Sequence, residues 1–344
     1  MTHSKDKLSR DVINWLLELD QKQPAIRYFT LRDILGYPEG SKEIKVAKSA
    51  IMLTGPVPQV LAAQEPEGYW LKPGPGYSPK YRSTVWQVIF LAQLGADGTD
   101  PRVQRACNYI LSHSIVANKG FSVNGTPSYF IHCLAGNLAA ALLDLGWLDD
   151  NRLQTALEWQ ARLITGFEIA NFKNKNITER YFAYTPGPLF ACGPNIGLSC
   201  AWGAVKAMLA FGKVPSAVRT TIMREAIDQG VEFLLSHDPS VADYPFGRGT
   251  RPNSSWFKFG YPIGYVTDVL QNLEVLAALD HIKDPRLMNA LDFIKNKQDK
   301  YGRWKMEYSL NGKMWADIEK KGQPSKWITF KALRVLKSAH SESL

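Results

Sequence analysis

The chain has 344 residues, of which 45% are hydrophobic, and it carries a formal net charge of +9. We find no signal peptide and no apolar run of about 18 residues, so we expect a cytoplasmic protein without a membrane span. The basic residues are scattered, and no RRM, zinc-finger or basic-helix signature occurs, which argues against nucleic-acid binding. Weak contact with an anionic membrane surface remains as the alternative to an ordinary solvated surface.

The four cysteines, Cys107, Cys133, Cys192 and Cys200, form no CxxC pair and no dense framework. This usage predicts free thiols in a reducing compartment. His132 with Cys133, Cys192 and Cys200 would supply suitable donors for zinc, but no spacing motif supports such a site. We therefore expect neither a metal nor another cofactor.

Hydrophobic periodicity and Gly/Pro punctuation predict an alternation of strongly apolar and polar-faced helices. In chain order the predicted helices are 11–20, 24–36, 43–53, 57–64, 82–95, 101–112, 127–146, 150–164, 195–212, 215–236, 264–279, 285–297 and 324–337. The stretches 71–80, 171–193 and 237–262 should be irregular, because Pro, Gly and Asn are frequent in them. The apolar helices end at intervals of roughly 50 to 70 residues, which indicates a repeat of helical hairpins.

One short pattern occurs twice, each time between two predicted helices. Gln64 to Trp70 and Gln298 to Trp304 both read Q-x3-G-x-W. The pattern resembles the QW motif of the squalene-hopene cyclase and protein prenyltransferase β-subunit superfamily. In that motif the Gln amide caps the carbonyl end of an outer helix and the Trp ring packs on the turn. Trp70 and Trp304 should then be largely buried.

The resemblance implies an all-α fold, an (α/α)6 toroid with six inner and six outer helices in one domain spanning residues 1–344. Six apolar helices can be counted, and the N-terminal helix 11–20 can complete the sixth outer position. The alternative is an open α-solenoid of HEAT type, which would offer an extended surface instead of a central cavity.

Three places near the starts of the predicted inner helices are unusual in composition. The first is an apolar helix that contains His132, Cys133, Gly136 and Asn137. Either small residues allow another helix to cross closely here, or these side chains face a cavity. The second joins Cys192 and Cys200 to Lys206, a lysine that must pair, extend to solvent or serve a function.

The third place is the aromatic stretch from Trp256 through Tyr261 and Tyr265 to Asp268. A carboxyl group in an aromatic cavity would have a raised pKa and could donate a proton. The alternative is ordinary, because an acidic residue near a helix N-terminus also stabilises the helix dipole.

The motifs that perform chemistry in the related families are absent. The sequence lacks D-x-D-D and D-D-x-x-D, and Asp268 is followed two positions later by Leu270 rather than by the Cys of the prenyltransferase zinc set. The chain is also about half as long as a full cyclase. The resemblance therefore supports a prediction of the fold but not of a particular reaction.

Two functions remain open at this point. One is a terpenoid-cyclase-like enzyme that acts on an apolar isoprenoid or polycyclic substrate, with Asp268 as proton donor, Tyr265 stabilising a cation and His132 or Cys133 removing the proton. The other is a non-catalytic protein that binds a lipid or a partner. The predicted substrate-binding residues are Trp86, Asn137, Cys200, Tyr261, Trp256 and Trp327. We expect the inner-helix starts to converge on one pocket, with the three long loops over its mouth.

Overall fold

The computed structural model describes residues 2–171, 173–181, 187–247, 249 and 251–340, with side chains from Arg10 onward. Most of these residues are helical, in agreement with an all-α protein. The α-helices are α1 (Thr2–Leu17), α2 (Pro24–Phe29), α3 (Lys42–Leu53), α4 (Pro56–Ala62), α5 (Thr84–Gln93), α6 (Pro101–His113), α7 (His132–Asp144), α8 (Asn151–Thr165), α9 (Ala201–Lys213), α10 (Thr221–Leu235), α11 (Val269–Ala278), α12 (Met288–Asn296) and α13 (Lys326–His340).

Several short elements complete this order. A π-helical turn, Thr30–Ile34, extends α2, and 3₁₀ turns occupy Pro127–Tyr129, Pro188–Phe190, Gly193–Asn195, Ser216–Val218, Ser254–Phe257 and Pro285–Leu287. Two short strands, β1 (Trp304–Lys305) and β2 (Pro324–Ser325), pair antiparallel, with Trp304 opposite Ser325. Within the described ranges, no helix is long and apolar enough to cross a membrane.

The helices differ in how much of their surface is buried. In α5, α7, α9 and α11 most residues are buried. In α6, α8, α10 and α12 only one face is buried, and the opposite face is polar. An all-round apolar helix must pack on several neighbours, whereas an amphipathic one needs a partner on one side only. The sequence alternation therefore sorts the helices into interior and peripheral ones.

Contacts between helices follow this division. Interior helices contact each other in the order α5, α7, α9, α11 and α13, and α13 also contacts α2 and its π-helical turn. Each peripheral helix packs on the interior helix that precedes it in sequence: α3 on α2, α6 on α5, α8 on α7, α10 on α9 and α12 on α11. Helix α1 contacts both α2 and α13, so the two ends of the described chain lie side by side.

The two Q-x3-G-x-W turns have the same geometry. Trp70 and Trp304 are both fully buried, which confirms the prediction for them. Gly68 and Gly302 have positive φ angles of 100° and 77°, a conformation that glycine adopts without a steric penalty.

Gln64 and Gln298 lie two residues beyond the ends of α4 and α12, so both are near helix C-termini. Gln64 donates from Nε2 to the carbonyls of Gly68 at 3.3 Å and Arg102 at 2.9 Å, so it joins its own turn to the first turn of α6. Gln298 is exposed. Gln64 therefore does not cap the carbonyl end of α4, the role that the resemblance implied. Instead, the indole N–H groups of Trp70 and Trp304 donate to carbonyls near the C-terminal ends of α4 and α12.

Five interior helices start later than the sequence predicted: α5 and α13 by two residues, α7 and α11 by five, and α9 by six. Helix α9 begins at Ala201 because residues 191–199 form a tight hairpin, in which the Asn195 amide donates to the carbonyls of Ser199 and Pro245, both at 3.0 Å. Helix α11 begins at Val269 because Asp268 is its N-cap and accepts from the N–H of Gln271 at 2.8 Å. Helix α13 begins at Lys326 because Pro324 and Ser325 belong to β2.

Candidate functional site

A cavity of about 500 Å³ lies among the interior helices. Two or more side chains of each interior helix line it: Phe29 and Arg32, Ile89 and Gln93, Asn137 and Asp144, Leu209 and Lys213, Gln271 and Glu274, Lys331 and Arg334. Its volume lies in the range of small-molecule sites, roughly 300 to 1,000 Å³.

The cavity opens at the C-terminal ends of these helices. Asp144, Lys213 and Ala278, which line it, are the last residues of α7, α9 and α11. This differs from our expectation, which placed the pocket at the helix starts beneath the long loops. At the helix starts, aromatic side chains from the preceding loop, such as Tyr77 and Tyr81, pack on Trp86.

One wall of the cavity is aromatic. The rings of Tyr261 and Trp327 stack with centroids 3.9 Å apart and planes inclined by 15°. Trp327 is fixed because its indole N–H donates to Gln23 Oε1 at 2.6 Å, and the Tyr261 hydroxyl donates to the carbonyl of Gln93. Phe29 and Phe330 stack beside them at 5.9 Å. These contacts give the cavity a rigid, flat apolar face.

A chain of ionic contacts lies beside this aromatic wall, with Lys331 Nζ 5.7 Å from the centre of the Tyr261 ring and Arg334 5.3 Å from that of Phe330. Glu274, only 7% exposed at its side chain, lies 2.7 Å from Lys331 Nζ and 2.7 Å from Arg334. Arg334 also lies 3.3 Å from Asp33, which pairs with Arg32 at 2.5 Å. Burial opposes ionisation of Glu274, but the charges of Lys331 and Arg334 outweigh it and hold its pKa below the ordinary value. Three cations thus meet two carboxylates, an excess of one positive charge.

A second polar group lies behind Gln271, one of the lining residues. The fully buried Lys206 donates from Nζ to Gln271 Oε1 at 2.6 Å, and the Gln271 N–H donates to Asp268. Burial lowers the pKa of Lys206 to about 7. Burial also raises the pKa of Asp268 to about 6. Both groups therefore titrate near neutrality, a property that is frequent at functional sites.

Three of the ten residues that the sequence singled out line the cavity: Asn137, Tyr261 and Trp327. The Asn137 amide donates to the carbonyl of Gly264 at 3.1 Å, which ties α7 to the segment before α11. Asp268, the predicted proton donor, is buried but does not line the cavity. Asp268 is the N-cap of α11, which agrees with the structural interpretation of this residue. Its pKa is nevertheless raised, as the proton-donor interpretation required.

Trp86 and Tyr265 belong to an aromatic cluster near the starts of α5 and α11. Their rings lie 5.3 Å apart, and Tyr77 and Tyr81 pack on Trp86 at 5.6 Å and 5.0 Å. The Trp86 indole N–H donates to the carbonyl of Tyr77 at 2.8 Å. Neither Trp86 nor Tyr265 lines the cavity. The loop 71–80 therefore packs against these helix starts.

The remaining predicted residues also lie away from the cavity. His132 begins α7, is buried, and approaches the Gly187 carbonyl through Nε2 at 3.3 Å. Burial lowers its pKa to about 4, so His132 is neutral. Cys133 and Cys200 lie near His132 around Gly203, and Trp256 packs on Tyr244 at 5.2 Å. Among the described residues, no group of three or more His, Cys, Asp or Glu is arranged to hold a metal ion.

Sequence reasoning missed the charged side of the cavity, although a signal was present. Glu274 interrupts the apolar helix α11, and Lys331 and Arg334 stand three apart, on one face of α13. Ionisable residues are rarely buried unless they are paired. A carboxylate in one buried helix and two cations in another could therefore have been predicted to meet.

No protein-family model matches this chain, and no curated protein is significantly similar to it.

Proposed function

We propose that the chain is an (α/α)6 toroid whose central cavity binds a small molecule with an apolar or aromatic body and an anionic group. The ring is supported by the six interior helices that line one cavity and by the contacts of α13 with both α11 and α2. In an open solenoid each repeat would contact only its sequence neighbours, and the ends would lie far apart. The resemblance of the two Trp turns to the QW superfamily supports the same arrangement.

The apolar part of the proposed ligand follows from the stacked pair Tyr261 and Trp327. A planar ring or an alkyl chain would remove the exposed faces of these rings from water, which is favourable in proportion to the area covered. Because Gln23 and Gln93 hold both side chains in place, little conformational entropy would be lost on binding.

The anionic part follows from the ionic chain along Arg32, Asp33, Arg334, Glu274 and Lys331. Its excess positive charge is partly buried, where an unneutralised charge is costly. A carboxylate, sulfonate or phosphate on the ligand would neutralise it and accept charge-assisted hydrogen bonds from Lys331 and Arg334. This excess charge beside an aromatic wall is the observation that carries the proposal.

The test uses the fluorescent aromatic sulfonate 1-anilinonaphthalene-8-sulfonate as a probe, displaced by octanoate, octanol or octylamine. We expect octanoate to displace it best and octylamine worst. Lys331→Gln should weaken octanoate binding roughly tenfold, the loss of one charge-assisted contact. Glu274→Gln should strengthen it, because a competing carboxylate is removed. Lys295→Gln, at an exposed lysine of the peripheral helix α12, is the control and should change nothing. Equal competition by the acid and the amine would overturn the proposal.

A second candidate function is acid-base catalysis on an apolar isoprenoid or polycyclic substrate, with Asp268 as the proton source. The observation that favours it is the pKa of Asp268, which burial raises to about 6, one hydrogen bond behind the lining residue Gln271. The test compares the ligands that co-purify with the wild type and with Asp268→Asn, by native mass spectrometry and lipid extraction. A catalyst should retain different molecules in the two proteins, since the variant keeps unconverted substrate. Identical ligands in the two proteins would contradict catalysis and support the binding function.

A further inference from the structure

A group of three thiols lies at the start of α9, away from the cavity. Cys200 is the N-cap of α9, Cys192 lies on the hairpin before it, and Cys133 lies in the first turn of α7. Both Cys192 and Cys200 are partly exposed, whereas Cys133 is buried. The fourth cysteine, Cys107, is fully buried elsewhere in the core.

The hairpin that carries Cys192 is held in a defined shape. Ala191 and Ser199 form an antiparallel bridge, and the N–H of Cys200 donates to the Phe190 carbonyl at 2.9 Å. The N–H of Cys192 donates to the Leu198 carbonyl at 3.1 Å. Cys192 and Cys200 are therefore diagonal neighbours across a short two-stranded turn. The two thiols are within hydrogen-bonding contact of each other.

The surroundings of Cys200 favour its thiolate. The thiols of Cys133 and Cys192 donate toward its sulfur, and the first N–H groups of α9, those of Trp202 and Gly203, also lie toward it; together they hold its pKa below the ordinary value. The same contact with Cys200, together with burial, raises the pKa of Cys133. Other ionisable groups near the thiols include His132, which is neutral, Lys206, whose charge acts on Cys133, and Tyr77 and Tyr265, which also interact with Cys133.

These thiols suit redox chemistry better than metal binding. A structural zinc ion needs four donors arranged around one point, and the described residues provide no such group. A thiolate with a depressed pKa, partly exposed and next to a second thiol, has the environment of a peroxide-sensitive cysteine with its resolving partner.

We propose that Cys200 is a site of oxidation by hydroperoxides and that Cys192 resolves the product as a disulfide. The Cys200 thiolate attacks one peroxide oxygen, the O–O bond breaks, and the leaving oxygen takes a proton to form water or an alcohol. The sulfenic acid left on Cys200 is then attacked by the Cys192 sulfur. The S–S bond forms, the S–O bond breaks, and the oxygen leaves as water with the Cys192 proton. Two thiols thus lose two electrons and two protons to the peroxide.

Cys192 is the resolving residue because the other nearby thiol, that of Cys133, lies in a tightly packed helix. Cys133 belongs to α7 at its closest approach to α9, where an added Cβ on Gly136 would lie 2.1 Å from the Lys206 carbonyl oxygen. The Cys133 thiol already contacts Cys200, but an S–S bond is shorter than that contact, so a disulfide between them would draw two tightly packed helices together. A disulfide to Cys192 closes only the short hairpin, which can adjust at the surface.

The first experiment treats the full-length protein with hydrogen peroxide, blocks the remaining thiols with iodoacetamide and maps the products by mass spectrometry. We expect a Cys192–Cys200 disulfide, with Cys107 alkylated only after unfolding. In Cys192→Ser, dimedone should trap a sulfenic acid on Cys200, and Cys107→Ser should behave as the wild type. An unoxidised Cys200, or a disulfide to Cys133, would overturn the proposal. Bound zinc that protects the thiols until it is chelated would overturn it as well.

A second measurement needs no variant at Cys200 and so does not depend on its folding. The alkylation rate of Cys200 by iodoacetamide should change little between about pH 6 and pH 9, because its thiolate is already formed. A free cysteine is only about 0.3% thiolate at pH 6, so its rate should rise several hundredfold over the same range. A Cys200 rate that follows free cysteine would contradict the assignment.

Discussion

Trp70 and Trp304 occupy equivalent positions in two turns that are far apart in the sequence. Each indole N–H donates to a carbonyl of the preceding helix, Val60 at 2.9 Å and Ile294 at 2.8 Å. Each backbone N–H donates to the hydroxyl of a threonine in the following interior helix, Thr84 at 3.1 Å and Thr329 at 3.0 Å. Each tryptophan thus links a helix end to the next helix with two hydrogen bonds and a buried ring.

Replacing Trp304 with alanine should therefore lower the free energy of unfolding by about 3 to 5 kcal/mol, because a fully buried ring and a hydrogen bond are both lost. Tyr301→Ala, in the same turn but 57% exposed, is the matched control and should cost less than about 0.5 kcal/mol. Urea unfolding followed by circular dichroism measures both. Equal stability of the two variants would show that the turn does not hold the helices together.

Gly136→Ala should destabilise the protein by about 1 to 3 kcal/mol or more, because the new methyl group would meet a backbone carbonyl of α9. A backbone atom within a packed helix cannot rotate away as a side-chain tip can. Gly40→Ala adds the same methyl group where no atom lies within 4 Å, and it should leave the melting temperature unchanged. A Gly136 variant as stable as the Gly40 variant would mean that α7 and α9 can separate at little cost.

Lys206→Met should change how stability depends on pH. Burial lowers the pKa of Lys206 to about 7 in the folded state, from 10.5, so the unfolded chain binds more protons between these values. The wild type should therefore gain stability as pH rises from about 7 to 10, and below pH 7 the full cost of the buried charge is present.

The methionine variant lacks this dependence. Its stability advantage over the wild type should be largest near pH 6 and shrink as pH rises. Chemical unfolding of both proteins across this range is the measurement, and Lys295→Met, at an exposed lysine, is the control. A difference that stays constant with pH would contradict the buried-ammonium interpretation.

Asp268 should make the stability of the wild type depend on pH in the opposite direction and at lower pH, and Asp268→Asn should remove this dependence. Burial raises the pKa of Asp268 from 3.8 to about 6, so the folded chain binds more protons between these values. The wild type should lose stability as pH rises through this window, and the full cost should be present above pH 6. Asparagine keeps an oxygen for the Gln271 N–H, so the variant should become progressively more stable than the wild type up to about pH 6. A variant that is less stable than the wild type at every pH would show that the ionised carboxylate of Asp268 stabilises the fold.

The helical class and the alternation of helices could be predicted from the sequence, because hydrophobic periodicity and Gly/Pro punctuation are local properties. The burial of Trp70 and Trp304 followed from the repeated motif. The starts of α9 and α11 could not be placed, because they depend on Asn195 bonding to the distant Pro245 carbonyl and on Asp268 acting as an N-cap. Both depend on side-chain hydrogen bonds to the backbone, one of them to a distant segment, which a periodicity pattern does not reveal.

For the site, the sequence by itself determined which residues were chemically unusual, since a lysine, a carboxylate or an asparagine in an apolar helix stands out without any structure. Asn137 was found in this way, Lys206 was recognised as needing a partner, and Tyr261 and Trp327 stood out as aromatic residues near the starts of inner helices. Only the tertiary structure decided which end of the helices holds the cavity. The loop aromatics fill the helix starts around Trp86, so the open space and the Glu274 ion pairs lie at the other end. That choice depends on side-chain volumes summed over distant segments, which no single stretch of sequence contains.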